Sequence, residues 1–117
     1  MAEQAAPAEL DSEDAKIVTL ARSARARTTA AEGAAVRDTD GRTYAACTVA
    51  LTSLRLSALQ AAVAAAVASG AEGLEAAAVV TDSAGLDADS VAAVRELGAG
   101  APVLRADASG EVVAVDR

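Results

Sequence analysis

The chain has one thiol, Cys47, and no imidazole. Those two facts bound the available chemistry before any fold is considered. A cysteine nucleophile needs a base such as histidine and an electropositive setting, and neither is visible around Cys47. Cys47 therefore reads as a buried strand residue, in keeping with the burial tendency of free cysteine. Asp82, Asp87 and Asp89 cluster around one loop and are candidates for holding Mg²⁺ or Ca²⁺. A hard cation needs about six suitably arranged oxygens, and turn and cap chemistry accounts for these three carboxylates more simply. Arg22, Arg25 and Arg27 form the one basic cluster. An anion site is one reading; cations complementing the dipole in the last turn of a helix is the expected one.

The stretch SALQAAVAAAVASG, residues 57–70, has the clearest boundaries. Ser57 followed by Gln60 fits a capping box, and Gly70 sits where a C′ glycine closes a helix. Between them only Gln60 is strongly polar. A surface helix shows a polar face, and a membrane span needs about 20 apolar residues. This helix is therefore expected to be buried nearly all round, by the chain's own sheet on one side and by a second copy on the other.

Composition narrows the classes further. The 117 residues fit one domain. Alanine and valine dominate, and Tyr44 is the only aromatic residue, so each side chain buries little area. Close packing or oligomerisation must compensate. A net charge of −7 disfavours nucleic acid, whose binding depends on neutralising phosphates. No membrane partner is expected. A lone cysteine cannot close an internal disulfide, which points to a reducing, cytoplasmic setting. The first residues, MAEQAAPAELDSED, are acidic and lack the apolar core of a signal peptide. Residues 1–9 read as a disordered tail and residues 10–117 as the domain.

The elements that must position these residues follow from periodicity and punctuation. Residues 12–26 read as a helix capped by Asp11 or Ser12, with Ile17, Leu20, Ala21 and Ala24 as its apolar stripe. Residues 33–37 and 43–51 read as strands joined by the Asp40-Gly41 turn. Residues 58–69 form the apolar helix. Residues 74–82 read as an internal strand, and residues 88–97 as a helix between Asp87 and Gly98. Residues 102–106 and 112–115 are short strands around a turn at 107–110. The fold class is α/β, a mixed five-stranded sheet with helices packed on it, in the order α-β-β-α-β-α-β-β. The strands flanking the helix at 88–97 should be parallel. No GxGxxG opens a helix, so this is not a Rossmann unit.

That order and two long strings resemble the cytidine deaminase family, small homo-oligomeric zinc nucleoside deaminases. GAAVRDTDGRTYAACTVALTS is similar to the family's first hairpin; LSALQAAVAAAVASGAEGLEAAAVV is similar to its C-A-E helix and central strand. Zinc deaminases hold Zn²⁺ with Cys and His ligands and use a glutamate as proton shuttle. The resemblance places the C-A-E positions at Ser57, Ala58 and Leu59, and the P-C-x-x-C positions at residues 86–90, with Asp87 and Ser90 in place of the two cysteines. The N-x-E positions associated with ribose fall on Thr48 and Ala50, and the ring often placed before the first strand falls on Ala30.

By that comparison the metal ligands, the proton shuttle at Leu59 and the sugar contacts are all absent, so no cofactor and no catalytic residue are expected. The resemblance therefore implies a catalytically degenerate member acting as an oligomeric scaffold or interaction protein. Two alternatives stand beside it. One is a working deaminase converting cytidine and deoxycytidine to uridine and deoxyuridine, with zinc. The other is a module that binds a nucleoside-like small molecule. A homo-oligomer, dimer or tetramer, is expected through Leu59, Ala62, Val63, Ala65 and Ala66.

Overall fold

A computed structural model describes residues 3–5 and 9–117 of the chain. Its elements are β1 (Glu3–Ala5), α1 (Ser12–Thr28), β2 (Gly33–Asp38), β3 (Thr43–Cys47), β4 (Val49–Ala50), β5 (Arg55–Leu56), α2 (Ala58–Ala68), β6 (Leu74–Val80), α3 (Ala88–Leu97), β7 (Val103–Ala106) and β8 (Val112–Asp116). The main sheet runs β1-β8-β7-β6-β2-β3, and β4 and β5 form a separate two-stranded ladder. The five strands β8-β7-β6-β2-β3 are the expected mixed sheet. The expected parallel pair around α3 is β6 with β7; β2 runs antiparallel to both its neighbours. The expected tail over 1–9 lies largely outside the described residues. Within it, Glu3–Ala5 pairs with Ala114–Asp116 as a sixth strand.

The period of two along β2 and β6 divides the core into two layers. Ala34, Val36, Ala77 and Val79 face Ala58, Leu59, Ala62 and Ala66 of α2 and Val94 of α3. Ala35, Ala76, Ala78 and Val80 face Ile17, Val18 and Ala21 of α1. The sheet is thus covered on both faces, which is why its inner strands read as continuous apolar runs. At the start of β2 there is no room for a side chain: a Cβ on Gly33 would overlap the Ala21 carbonyl oxygen and the Arg25 backbone. Glycine is required there by the close approach of α1, not by its φ.

The helix ends match their sequence signals. Asp11 caps α1 and Asp87 caps α3 through their side chains. In α2 both halves of the Ser57–Gln60 capping box form. At its other end the Gly70 N–H bonds the Val67 carbonyl at 3.0 Å and the Ala71 N–H bonds that of Ala66 at 2.9 Å, a Schellman closure with Gly70 at φ +95°. The helix α1 runs two residues past the expected end, because Thr29 takes the left-handed conformation and returns its N–H to Arg25. The strand expected over 43–51 stops at Cys47. The Glu32 N–H bonds Thr48 Oγ1 at 3.0 Å, and the chain then turns into the β4–β5 ladder.

Within one chain α2 is covered on one side by the sheet, as expected, and open on the other. Ala58, Leu59, Ala62 and Ala66 are buried, while Ala64, Val67 and Ala68 are exposed and Ala61, Val63 and Ala65 lie between. Its apolar composition does not reflect complete enclosure by this chain's own sheet.

The β2–β3 turn hangs on one buried carboxylate. Asp38 Oδ1 accepts from the Asp40 and Arg42 N–H groups at 2.9 Å each, and Oδ2 accepts from the Tyr44 hydroxyl at 2.7 Å. Burial by itself would raise the Asp38 pKa. The bonds from Tyr44, Arg42 and Asp40, with the Arg42 charge, outweigh it and hold the carboxyl below its ordinary value. A carboxyl depressed in the fold stabilises above the unfolded pKa of about 4 and loses that contribution as pH falls through the folded value. Stability measured by denaturant titration should therefore drop on acidification below about pH 4, and Asp38→Asn should flatten that part of the profile. An unchanged profile in the variant would remove Asp38 from the acid response.

Candidate functional site

The N-termini of α2 and α3 meet at one end of the sheet. Ser57 arrives there as the N-cap of α2, directly after β5. Asp87 arrives as the N-cap of α3, after the exposed loop that follows β6. Ser90, in the first turn of α3, is buried at 4 % exposure. Its hydroxyl oxygen lies 2.7 Å from Ser57 Oγ and 3.0 Å from Asp87 Oδ2. Ser57 Oγ also accepts the Gln60 N–H at 3.1 Å, and Asp87 Oδ2 accepts the Ser90 N–H at 3.1 Å. A carboxylate can only accept, so the Ser90 proton points at Asp87 and the Ser57 hydroxyl donates to Ser90. Both hydroxyls and Asp87 Oδ2 then have partners.

An open cleft of about 370 Å³ lies beside this cluster, lined by Glu32, Thr48, Val49, Ala50, Arg55, Leu56, Ser57, Gln60, Asp87 and Asp89. The structure thus brings together positions far apart in sequence: Thr48 and Ala50 from the hairpin, Ser57 from α2 and Asp87 from α3. Glu32, Arg55, Gln60 and Asp89 also line the cleft and were not singled out for it from sequence. Glu32 carries a signal only in retrospect, as the residue just ahead of β2 that Thr48 holds. Arg55 is exposed and makes no ion pair among the described residues. Leu59 is not part of the lining. It is 2 % exposed and packs in the core with Val36 and Val79.

The other candidates disperse. Asp82 pairs with Arg25 at 2.7 Å, Asp87 caps α3, and Asp89 stands exposed on its first turn. Among the described residues no group of three or more His, Cys, Asp or Glu is placed to hold a metal ion. Of the basic cluster, Arg22 donates to the Ala108 carbonyl at 3.2 Å, Arg25 to Asp82, and Arg27 is exposed, so the three converge on no common point. Cys47 is half-buried rather than buried, because β3 is the sheet's edge strand. Of the residues expected at an oligomer contact, Leu59, Ala62 and Ala66 are corrected: at 2 %, 0 % and 0 % exposure they already pack against this chain's own sheet. Val63 and Ala65 stay partly accessible.

The sheet carries helices on both faces, a short β4–β5 ladder leads into α2, and two helix N-termini meet beside a cleft. A sequence model of cytidine deaminase-like proteins matches residues 10–110. The chain belongs to the cytidine deaminase-like family. In structure it is similar to the cytidine deaminase from Burkholderia pseudomallei, with 24 % identity, a TM-score of 0.73, and coverage of 85 % of this chain and 88 % of that one. Compared by sequence with curated proteins, the chain matches none.

Zinc deaminases hold their metal with thiolate and imidazole ligands. The donor set here does not suit that ion. Two of the three groups are serine hydroxyls, which stay protonated at neutral pH, and the third is a carboxylate engaged in capping α3. The two hydroxyls and Asp87 Oδ2 are already hydrogen-bonded to one another. Leu59 lies in the core and has no ionisable group, so Leu59→Ala should destabilise the chain by about 2–5 kcal/mol, as read by chemical denaturation. A loss under about 1 kcal/mol, the scale of exposed sites, would mean that Leu59 is not a core residue.

Proposed function

We propose that this chain is a zinc-free, non-catalytic member of its family that acts by association, as an oligomeric scaffold or interaction protein in the reducing environment of the cytoplasm. The observation that carries this reading is the hydrogen-bonded cluster of Ser57, Ser90 and Asp87. These are the positions at which the family resemblance places metal cysteines. They lie together in space, and they offer no thiolate. With Leu59 in the core, the cleft also has no glutamate at the position of the proton shuttle. The family's hydrolysis of cytidine needs both an activated water and a proton carrier.

The purified protein is expected to contain no stoichiometric zinc and to leave cytidine and deoxycytidine unchanged in an ultraviolet assay at high protein concentration. Turnover that a chelator abolishes would overturn the proposal and establish a working deaminase. The cleft of about 370 Å³ favours a second reading, a module that binds a nucleoside-like molecule without chemistry. Saturable cytidine binding by calorimetry, with no turnover, would select it.

Association is supported by exposed apolar side chains. Leu51, Leu54 and Val67 are 60 %, 50 % and 54 % exposed, and Ala64 and Ala68 extend the surface along α2. Large exposed apolar patches on a soluble protein mark association sites. Light scattering at tens of micromolar should report a dimer or tetramer, and Val67→Glu should shift it toward monomer. A wild-type monomer under those conditions would refute self-association.

A further inference from the structure

We propose that the Ser57–Ser90–Asp87 hydrogen-bond chain is an interhelix staple, a metal-free cross-link between α2 and α3 that takes over the structural share of the work a bound zinc would do at these positions. The inference rests on the zinc-free reading above and adds a mechanical role to it.

The argument begins with how α3 is anchored. Its N-terminus follows residues 82–85, which are all exposed, and only Leu86 of the approach packs against the core. Farther along α3, Val94 joins the same apolar cluster as α2, so the body of the helix is held by packing. The first turn is held differently. Asp87 accepts the Ser90 N–H at 3.1 Å, and that bond is internal to α3. The Ser90 hydroxyl then reaches Ser57, 33 residues away, at 2.7 Å. Ser57 is tied into its own helix by the Gln60 N–H at 3.1 Å and returns its N–H to Gln60 Oε1 at 3.0 Å. Two capping systems are thus joined by one contact.

Burial gives that contact its weight. Ser90 is 4 % exposed, so a hydroxyl left without a partner there pays its desolvation in full. A structural zinc acts in a comparable place by tying ligands from separate segments into one unit. Here two hydroxyls and a carboxylate do so without a thiolate.

The test is a double-mutant cycle read by denaturant unfolding, with Ser57→Ala, Ser90→Ala and the pair. Loss of the α2 cap enters both arms of the cycle and cancels, leaving the Ser57–Ser90 term. The expected coupling is about fivefold in the unfolding equilibrium constant, the scale of one net hydrogen bond. A second readout is amide hydrogen exchange. Ser90→Ala should speed exchange at the Gln60 amide in α2, although Ser90 lies in α3; this arm holds even if the Ser57 variant does not fold. Coupling near onefold, or an unchanged Gln60 amide, would overturn the staple and leave the zinc-free reading standing. In parallel, a chelator should leave the wild-type melting temperature unchanged. A chelator-induced drop would overturn the zinc-free reading and the staple with it.

Discussion

Rows of alanine set the distance at which everything else in this domain must sit. Ala34 and Ala35 on β2, and Ala76, Ala77 and Ala78 on β6, are all buried at 1 % exposure or less. Opposite them stand Ala21 and Ala24 of α1 and Ala58, Ala62 and Ala66 of α2. Small side chains on both partners bring helix and sheet backbones close, to the point where Gly33 cannot carry a Cβ beneath α1. The penalty is small apolar burial per residue, at about 25 cal/mol for each Å². A core of this kind has few large side chains to define it: Ile17 and Leu59 are the largest that are fully buried.

That constraint explains why buried polar groups recur where elements meet. Asp38 organises the β2–β3 turn and receives the only aromatic hydroxyl of the chain. Arg95 of α3 reaches the Ala101 carbonyl at 3.0 Å and the Asp116 carboxylate at 3.3 Å, fastening the helix to the loop before β7 and to the end of β8. Arg37 reaches from β2 to Asp14 of α1 at 3.0 Å. Ser57 and Ser90 join two helix starts. Each contact links separate elements, and none leaves a buried side-chain polar atom unsatisfied among the described residues. Directional bonds of this kind specify arrangement where interchangeable alanines do not.

The cleft is a product of the same architecture. Two helix N-termini, the β4–β5 ladder and the residue ahead of β2 leave an open space between them. The apolar outer side of α2 follows the same logic. Its inner side is fully used by the sheet, and its outer side carries no charge to keep it in water.

Local features were legible from sequence because local physics governs them. The caps at Asp11, Ser57 and Asp87, the turn glycines Gly41 and Gly110 and the bounds of α3 depend on residues within one turn of each other. The order of elements along the chain followed from periodicity and turn signals, whereas the order of strands across the sheet came only from the structure. Sequence also established which groups the chain lacks: no imidazole, one thiol, and no carboxylate at Leu59. Tertiary structure alone decided the rest. It placed Ser57 against Ser90 and Thr48 against Glu32, contacts between residues far apart in the chain. It turned Leu59, Ala62 and Ala66 inward and left Ala64, Val67 and Ala68 outside. In a helix with almost no polar residues the pattern carries no phase, so only packing against the sheet can choose the buried face.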